Sequence, residues 1–204
     1  MFDSTGVDTT EKSFGPSKYI TFGVQELKIN NMEIKVASTG SKSVIFSVEG
    51  ALVKDPAFEG VDGAKGPIGR ISTMYMKSEQ QGDLVTLFAK IADALGVRNE
   101  MNAVKSTSIE DYVAKALTVL KGKYANYCVS SEQYWDANAG KAKNSLRFPK
   151  YDFVEAINTD PAKSRVKFDK DKTYHFKPAV VPDGIGTAAS PTFIAPKKDD
   201  DLPF

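Results

Sequence analysis

The chain has 204 residues, of which 41% are hydrophobic and 26% are charged, and this composition is typical of a globular protein with a sizeable core. The formal net charge is only +1, so the total charge by itself does not indicate a nucleic-acid partner. A single cysteine and a single histidine exclude a disulfide framework and a Cys/His zinc site built from one chain, and they disfavour a Ser-His or Cys-His catalytic pair. We therefore expect a protein that is not an enzyme and that holds no metal or other cofactor.

The first third of the chain predicts an arm followed by three strands. Residues 1–17 are rich in Ser, Thr, Gly and Asp, as in a flexible arm. The apolar alternation that follows changes phase at Asn30-Asn31, where one extra residue predicts a β-bulge. A loop is predicted at 54–66 and the third strand at 68–77. The alternating apolar residues of the first two strands are Leu27, Ile29, Met32, Ile34, Val36, Val44, Phe46 and Val48.

The pattern then changes to a helical period over residues 79–121, which predicts two amphipathic helices inserted into a β protein. The first helix carries apolar residues at i, i+3, i+4, i+7 and i+11, counted from Leu84, and is expected to end at Gly96. The second helix opens with Thr107-x-x-Glu110, which has the spacing of a capping box, and is expected to end at Gly122.

Strands return in the second half of the chain. Residues 123–134 alternate and are rich in aromatic and β-branched types, which predicts a fourth strand. Residues 136–144 contain one glycine and three alanines and predict a mobile basic loop, and the apolar residues around Pro149 predict a final strand or strand pair. An extended or hairpin segment over 165–181 and a linker over 182–198 precede the last six residues.

This order of elements predicts a mainly β domain over residues 18–181. Five strands with helical material between the third and the fourth are the layout of the OB-fold, a partly open five-stranded barrel that binds oligonucleotides. An all-β sandwich with an inserted helical pair fits the pattern almost as well. In the OB-fold hypothesis the ligand runs over strands two and three, between loops that contain Lys42 and Lys141–Lys143.

Residue types that suit single-stranded nucleic acid occur in two parts of the chain. Binding without sequence choice requires cations along the phosphates and exposed aromatic faces for the bases. For any one lysine or ring, a solvated charge or a core position is the competing interpretation. Tyr134 and Trp135 are adjacent, so in a strand they face opposite ways, and we expect one to pack and the other to be available. The candidate DNA-binding residues are Lys42, Arg70, Tyr75, Lys77, Tyr127, Tyr134, Trp135, Lys141, Lys143, Arg147, Lys150 and Tyr151.

The printed sequence ends in three carboxylates followed by an apolar tip, Asp199-Asp200-Asp201-Leu202-Pro203-Phe204. Three adjacent aspartates cannot be buried unpaired, so we expect a tethered peptide ligand whose Phe fills a partner's pocket. Without these aspartates the chain has 27 basic and 23 acidic residues, and residues 121–177 contain twelve basic against seven acidic ones. A moderately basic body thus precedes an acidic tip.

The six-residue motif closely resembles the acidic tip of bacterial and bacteriophage single-stranded DNA-binding proteins, in which the tip recruits replication and repair enzymes. The resemblance implies a protein that coats and protects single-stranded DNA in replication, recombination and repair, and that binds partner proteins through Asp199–Phe204. A phage protein is favoured because phage versions often keep the tip and rebuild the domain, and an oligomer is compatible with the pattern. The competing hypothesis is a phage structural or adaptor protein whose tip docks a protein partner.

Two further expectations concern the compartment. Residues 1–8 contain no apolar signal core and no apolar run approaches 18 residues, so we expect no membrane contact and a cytoplasmic location, in the host if the protein is viral. The lone Cys128 is expected to be a small buried residue, and His175 is expected at a sheet edge and not as a metal ligand.

Overall fold

The computed structural model describes residues 19–36, 38, 40, 42–51, 66–75 and 81–182, with residues 74 and 75 as backbone alone. The predicted arm (1–17), all but the first residue of the predicted linker (182–198) and the predicted tip (199–204) lie outside the described residues. Most of the predicted loop at 54–66 lies outside them as well.

The described residues form strands and helices in the predicted order, with the helices between the third and fourth strands. The strands are β1 (Gly23–Val36), β2 (Lys42–Gly50), β3 (Ile68–Tyr75), β4 (Tyr124–Asp136), β5 (Lys141–Arg147), β6 (Val154–Glu155) and β7 (Phe176–Lys177). The helices are α1 (Gln81–Ala94), α2 (Arg98–Ala103) and α3 (Ile109–Leu120).

The five longer strands pair into a ring. β1 pairs antiparallel with β2, β2 with β3, and β5 with β4, and β4 returns to pair with the first part of β1. The remaining contact, between β3 and β5, is parallel and consists of one residue pair, Ile71 with Leu146. The short strands β6 and β7 add to β4. The prediction of a mainly β architecture with inserted helices is confirmed.

β1 pairs with two different strands because it bends at a bulge. Its first part pairs with β4 and its second part with β2, and the register with β2 shifts between Ile29 and Asn31. The shift lets both Leu27 and Met32 face the core although they are an odd number of residues apart. The bulge predicted at Asn30-Asn31 is therefore confirmed.

The described part of the helical insert contains three helices, so the prediction of two was wrong. α1 ends at Ala94 and the chain turns at Gly96, which has φ 68°, and the six-residue α2 then follows. α2 buries only Met101, and six residues are too few to show a helical apolar period in the sequence. The stop signals at Gly96 and Gly122 were predicted correctly, since both glycines have positive φ.

The N-terminus of α3 begins one residue later than the predicted capping box. Ser108, not Thr107, is the N-cap, and its hydroxyl accepts a hydrogen bond from the Asp111 N–H at 3.1 Å. The Ser106 hydroxyl donates to the Asp111 carboxylate at 2.6 Å, so a second side chain holds this turn. Only the hydroxyl half of the predicted capping box is present, because the Ser108 N–H donates to the Ser106 hydroxyl at 3.2 Å and not to the Asp111 carboxylate.

The core lies between the ring and the helices, and Phe46 of β2 is at its centre. The Phe46 ring packs edge-on against Phe88 of α1 at 6.0 Å and against Phe148 at 5.2 Å between centroids. Phe148 continues the cluster to Tyr127 at 5.4 Å and to Phe153 at 5.2 Å. This chain of rings joins α1, β2, β4 and the segment after β5 into one apolar unit.

Residues 165–177, called the strap below, cover the outer face of β4. Phe22 packs against Phe168 at 5.3 Å and Phe176 at 5.6 Å, and β7 pairs in parallel with Ser131 and Glu132. The buried Cys128 thiol approaches the strap carbonyl of Lys167 at 3.7 Å, and burial raises its pKa to about 11. Cys128 is thus a small buried residue, as predicted. Within the segment predicted as extended or hairpin, residues 165–169 and 178–181 have no regular secondary structure, residues 170–175 form turns, and residues 176–177 form the short strand β7.

No helix in the described part of the chain is both long enough and apolar enough to cross a membrane.

Replacing Gly66 with Ala tests the closest backbone approach in the sheet. A Cβ at Gly66 would lie 1.8 Å from the carbonyl oxygen of Gly50, and backbone cannot move aside as a flexible side chain can. We expect Gly66→Ala to lower the free energy of unfolding by about 1–3 kcal/mol in urea titrations. Gly82→Ala is the matched control, because a Cβ there meets no atom within 4 Å, and its stability should be unchanged or slightly higher. Equal stabilities for the two variants would contradict this packing.

Candidate nucleic-acid interface

The segment predicted as a mobile loop at 136–144 is a β-hairpin. β4 continues to Asp136, β5 starts at Lys141, and a four-residue turn connects them. The Asp136 carboxylate accepts hydrogen bonds from the N–H groups of Asn138 and Ala139 at 3.0 Å each, and Gly140 has φ 58°. Lys141 and Lys143 therefore lie on a strand and have fixed faces.

The outer face of this hairpin carries Tyr134 beside Lys143. The register pairs these two residues across the strands, and Tyr134 is 50% exposed. Trp135 points to the opposite face and is half-buried, so Tyr134 is the available ring of the two. The Lys143 ammonium forms an ion pair with Asp136, which lowers the pKa of Asp136 and raises that of Lys143.

Tyr127 does not belong to a binding surface, which corrects its assignment as a stacking residue. Its side chain is 1% exposed and its ring lies against Phe148. The hydroxyl has no hydrogen-bond partner among the described residues, and burial raises its pKa. A ring in this position cannot receive a base without unfolding of the core.

The candidate residues on β2 and β3 do not form a basic patch with those on β5. The Lys42 ammonium pairs with Glu110 of α3 at 3.1 Å, and Arg70 forms an ion pair with Glu33. Lys42 pairs with Tyr75 at the end of β3, which comes after the Ile71–Leu146 contact along that strand. Lys141 and Lys143 come before this contact on β5, and β3 and β5 run parallel. The two predicted flanking positions are thus at opposite ends of the strands. The Tyr75 side chain and all of Lys77 lie outside the described residues.

A different constellation surrounds the segment from Arg147 to Tyr151, which leaves β5 and crosses the surface. On one side it borders a cleft of about 500 Å³ shared with β3 and α1, called the helix-side cleft. On the other side it borders a cleft of about 300 Å³ shared with β4 and the strap, called the strap-side cleft. Arg147, Phe148, Pro149 and Lys150 line both clefts.

An exposed tyrosine accompanied by a lysine stands at each cleft. Tyr151 is 57% exposed, and the Lys150 ammonium lies 5.4 Å from its ring centroid. Tyr174 of the strap is 47% exposed, and the Lys172 ammonium lies 5.8 Å from its ring centroid. Asp152 has φ 46°, and this left-handed turn lets Tyr151 face solvent while Phe153 enters the core.

The charges at this segment are only partly compensated. The Glu132 carboxylate is shared between Arg147 at 2.8 Å and Lys177 at 3.0 Å, so two cations meet one acid. The Arg147 Nε is buried and has no hydrogen-bond partner in the described part of the chain. Within the same ranges, Lys150 has no carboxylate at ion-pair distance. Excess positive charge beside exposed rings is the combination that suits a nucleic-acid strand.

Lys90, Tyr174 and Lys177 also line these clefts and were not among the predicted residues. Lys90 lies on an exposed position of α1, and no local pattern relates that face to β5. Tyr174 is beside the segment only because the strap folds back on β4. The predicted residues that the structure brings together are Arg147, Lys150 and Tyr151.

No protein-family model matches this sequence, and no curated protein matches it significantly.

His175 lies directly before the short strand β7, is buried and holds the strap in place, and its carbonyl accepts a hydrogen bond from the Ser131 N–H at 2.9 Å. Its Nδ1 accepts a hydrogen bond from the Asp169 N–H at 2.8 Å, and its ring packs against Phe168 and Tyr174 at 5.7 and 4.5 Å. Burial lowers the pKa of His175, nearby Lys172 lowers it further, and the negative charge of the Asp169 carboxylate opposes the shift.

The stability of the protein should therefore fall as the pH decreases below about 6.5, the pKa of an unfolded-state histidine. In that range the unfolded chain takes up a proton at His175 and the folded chain does so only at lower pH, so unfolding becomes easier. Urea unfolding between about pH 7.5 and about pH 5 measures this slope. His175→Asn keeps an acceptor near Nδ1 but does not titrate, so its slope should be shallower. An unchanged slope would show that His175 does not titrate in this way.

Proposed function

We propose that this protein binds single-stranded DNA without sequence specificity, coats and protects it in replication, recombination and repair, and is not an enzyme. The observation that carries the proposal is the segment Arg147–Tyr151, where cations in excess of their carboxylate partners lie beside exposed tyrosines in two adjoining clefts. Stacking of bases on tyrosine and pairing of phosphates with Lys and Arg require this combination and no catalytic group.

The fold supports the proposal, because we infer that the ring is an OB-fold. The strand order β1-β2-β3-β5-β4, closed by the β1–β4 pairing, supports this inference. The parallel β3–β5 contact and the helices between β3 and β4 support it as well. The additional helices and the strap are extensions of that plan.

The motif Asp199–Phe204 supports a second part of the proposal, which is recruitment of replication or repair proteins. Its resemblance to the acidic tip of bacterial and phage single-stranded DNA-binding proteins is the support for this part. The three aspartates and Phe204 suit a basic pocket with an apolar floor on a partner.

The direct test is a titration of the protein with oligo-dT, followed by the fluorescence of Trp135 and the tyrosines, with duplex DNA as the control. We expect quenching by oligo-dT and an affinity that falls steeply between about 50 and about 200 mM salt. No quenching and no gel shift at low salt would overturn the proposal and favour an adaptor or structural role.

Tyr151→Ala should weaken oligo-dT binding by about 5- to 150-fold, because base stacking on one ring contributes about 1–3 kcal/mol. Tyr127→Phe is the matched control, since it removes a buried hydroxyl that has no partner among the described residues and leaves the surface unchanged. Its affinity should equal that of the unmodified protein. Fluorescence anisotropy of a labelled oligonucleotide measures both. Equal affinities for Tyr151→Ala and Tyr127→Phe would exclude Tyr151 as a stacking residue.

Deletion of residues 199–204 separates the DNA-binding function from recruitment. Removing three carboxylates makes the chain more positive, so oligo-dT affinity should be unchanged or higher. The same anisotropy titration measures it. Loss of DNA binding on this deletion would contradict a tip that serves protein partners.

A further inference from the structure

A third cleft adjoins the helix-side cleft, and comparison of the three indicates where a bound strand runs. This third cleft, called the loop-side cleft, has about 410 Å³ and lies between the end of α1 and residues 152–165. It shares Lys90 and Phe153 with the helix-side cleft, which in turn shares Arg147 to Lys150 with the strap-side cleft. The three clefts are therefore neighbours around the segment after β5.

The three clefts differ in charge. The strap-side cleft has three cations against Glu132, and the helix-side cleft has three cations against Asp83. The loop-side cleft has three cations and three carboxylates. The cations of the loop-side cleft are Lys90, Lys163 and Arg165, and its carboxylates are Asp93, Asp152 and Glu155. A polyanion is therefore attracted to the first two clefts and gains little in the third.

Three of the basic candidate residues on the other surfaces of the ring are each paired with a carboxylate. The pairs are Lys42–Glu110, Arg70–Glu33 and Lys143–Asp136. A phosphate must displace a carboxylate to reach any of these cations. Lys90, Lys150 and the exposed strand residues Lys35 and Lys141 have no carboxylate at ion-pair distance within the described ranges. Of these four, Lys90 and Lys150 line the helix-side cleft together with the exposed ring of Tyr151.

We infer that the single strand crosses the ring from the strap-side cleft to the helix-side cleft, with Tyr174 and Tyr151 as its stacking residues and Lys90 of α1 as a phosphate contact. This inference rests on the proposed function and makes it more specific. It places the strand over the segment after β5 and not along the face of β2 and β3. The rings stand on either side of Arg147–Lys150, so the cations lie between two stacked bases.

The test measures how oligo-dT affinity changes with salt for single variants. Each phosphate contact that is lost lowers the slope of log K against log salt by about 0.7 for single strands. Lys90→Gln should therefore reduce the slope by about that amount. Lys163→Gln, in the balanced loop-side cleft, and Arg70→Gln, on the β2–β3 face, should leave the slope unchanged.

Tyr174 is tested separately because its ring also contacts buried His175. Tyr174→Leu preserves apolar packing but offers no flat face to a base, so affinity should fall about fivefold or more at every salt concentration, with no change in slope. Circular dichroism of each variant shows whether the strap remains folded. Thymidine monophosphate serves as a competitor, and strong competition by it would indicate a mononucleotide site in place of a path for a strand.

The outcomes distinguish failure of the proposed function from failure of the proposed path of the strand. Absence of oligo-dT binding by the unmodified protein overturns the proposed function. If that protein binds, and Arg70→Gln or Lys163→Gln lowers the salt slope while Lys90→Gln does not, the path is wrong and the function stands. A loss of affinity in Tyr174→Leu without change in slope, together with a reduced slope in Lys90→Gln, supports the path.

Discussion

The ring of strands has one weak seam, and much of the candidate site follows from how the protein closes it. β3 and β5 meet at a single residue pair, whereas each of the other neighbours in the ring shares at least six. Backbone hydrogen bonds therefore contribute little at the seam, and aromatic packing replaces them. Phe148 and Phe153 enter the core there, and α1 lines the cleft at this opening. The residues between these two anchors, including Lys150 and Tyr151, are left on the surface beside a cleft.

Electrostatics explains why only part of the basic surface suits a polyanion. An exposed ion pair between one cation and one carboxylate contributes little to stability, but the carboxylate offsets the charge of the cation. The field of the pair is also screened within about 10 Å at ordinary salt. Lysines without an acidic neighbour keep their full attraction for phosphate. The modest excess of basic residues in the sequence becomes a local field only where folding separates cations from carboxylates, as it does around Arg147–Lys150.

The elements that the sequence predicted well are those with long, regular alternation. The bulge in β1 was recognisable because a change of phase in the apolar pattern has no other simple cause. Two predictions failed for different reasons. Gly140 and its alanine neighbours favour a loop, yet cross-strand partners extend β4 and β5 to meet in a tight turn. Tyr127 alternates with buried Ala125 and Val129, and this phase marks it as a core residue. The positions of Lys90 and Tyr174 depend on tertiary packing that no local pattern contains.

The strap connects stability with the candidate interface. Its docking on β4 depends on buried rings and on the hydrogen bond to a neutral His175, and the same segment supplies Tyr174 and Lys177 to the strap-side cleft. A ligand that contacts those residues binds only the docked form. By linkage, such a ligand stabilises the docked strap, and a change that loosens the strap lowers the apparent affinity for the ligand in proportion to the fall in the docked fraction. The strap is therefore both a cover for β4 and one wall of the site, and substitutions in its buried face are expected to act on binding without touching the ligand.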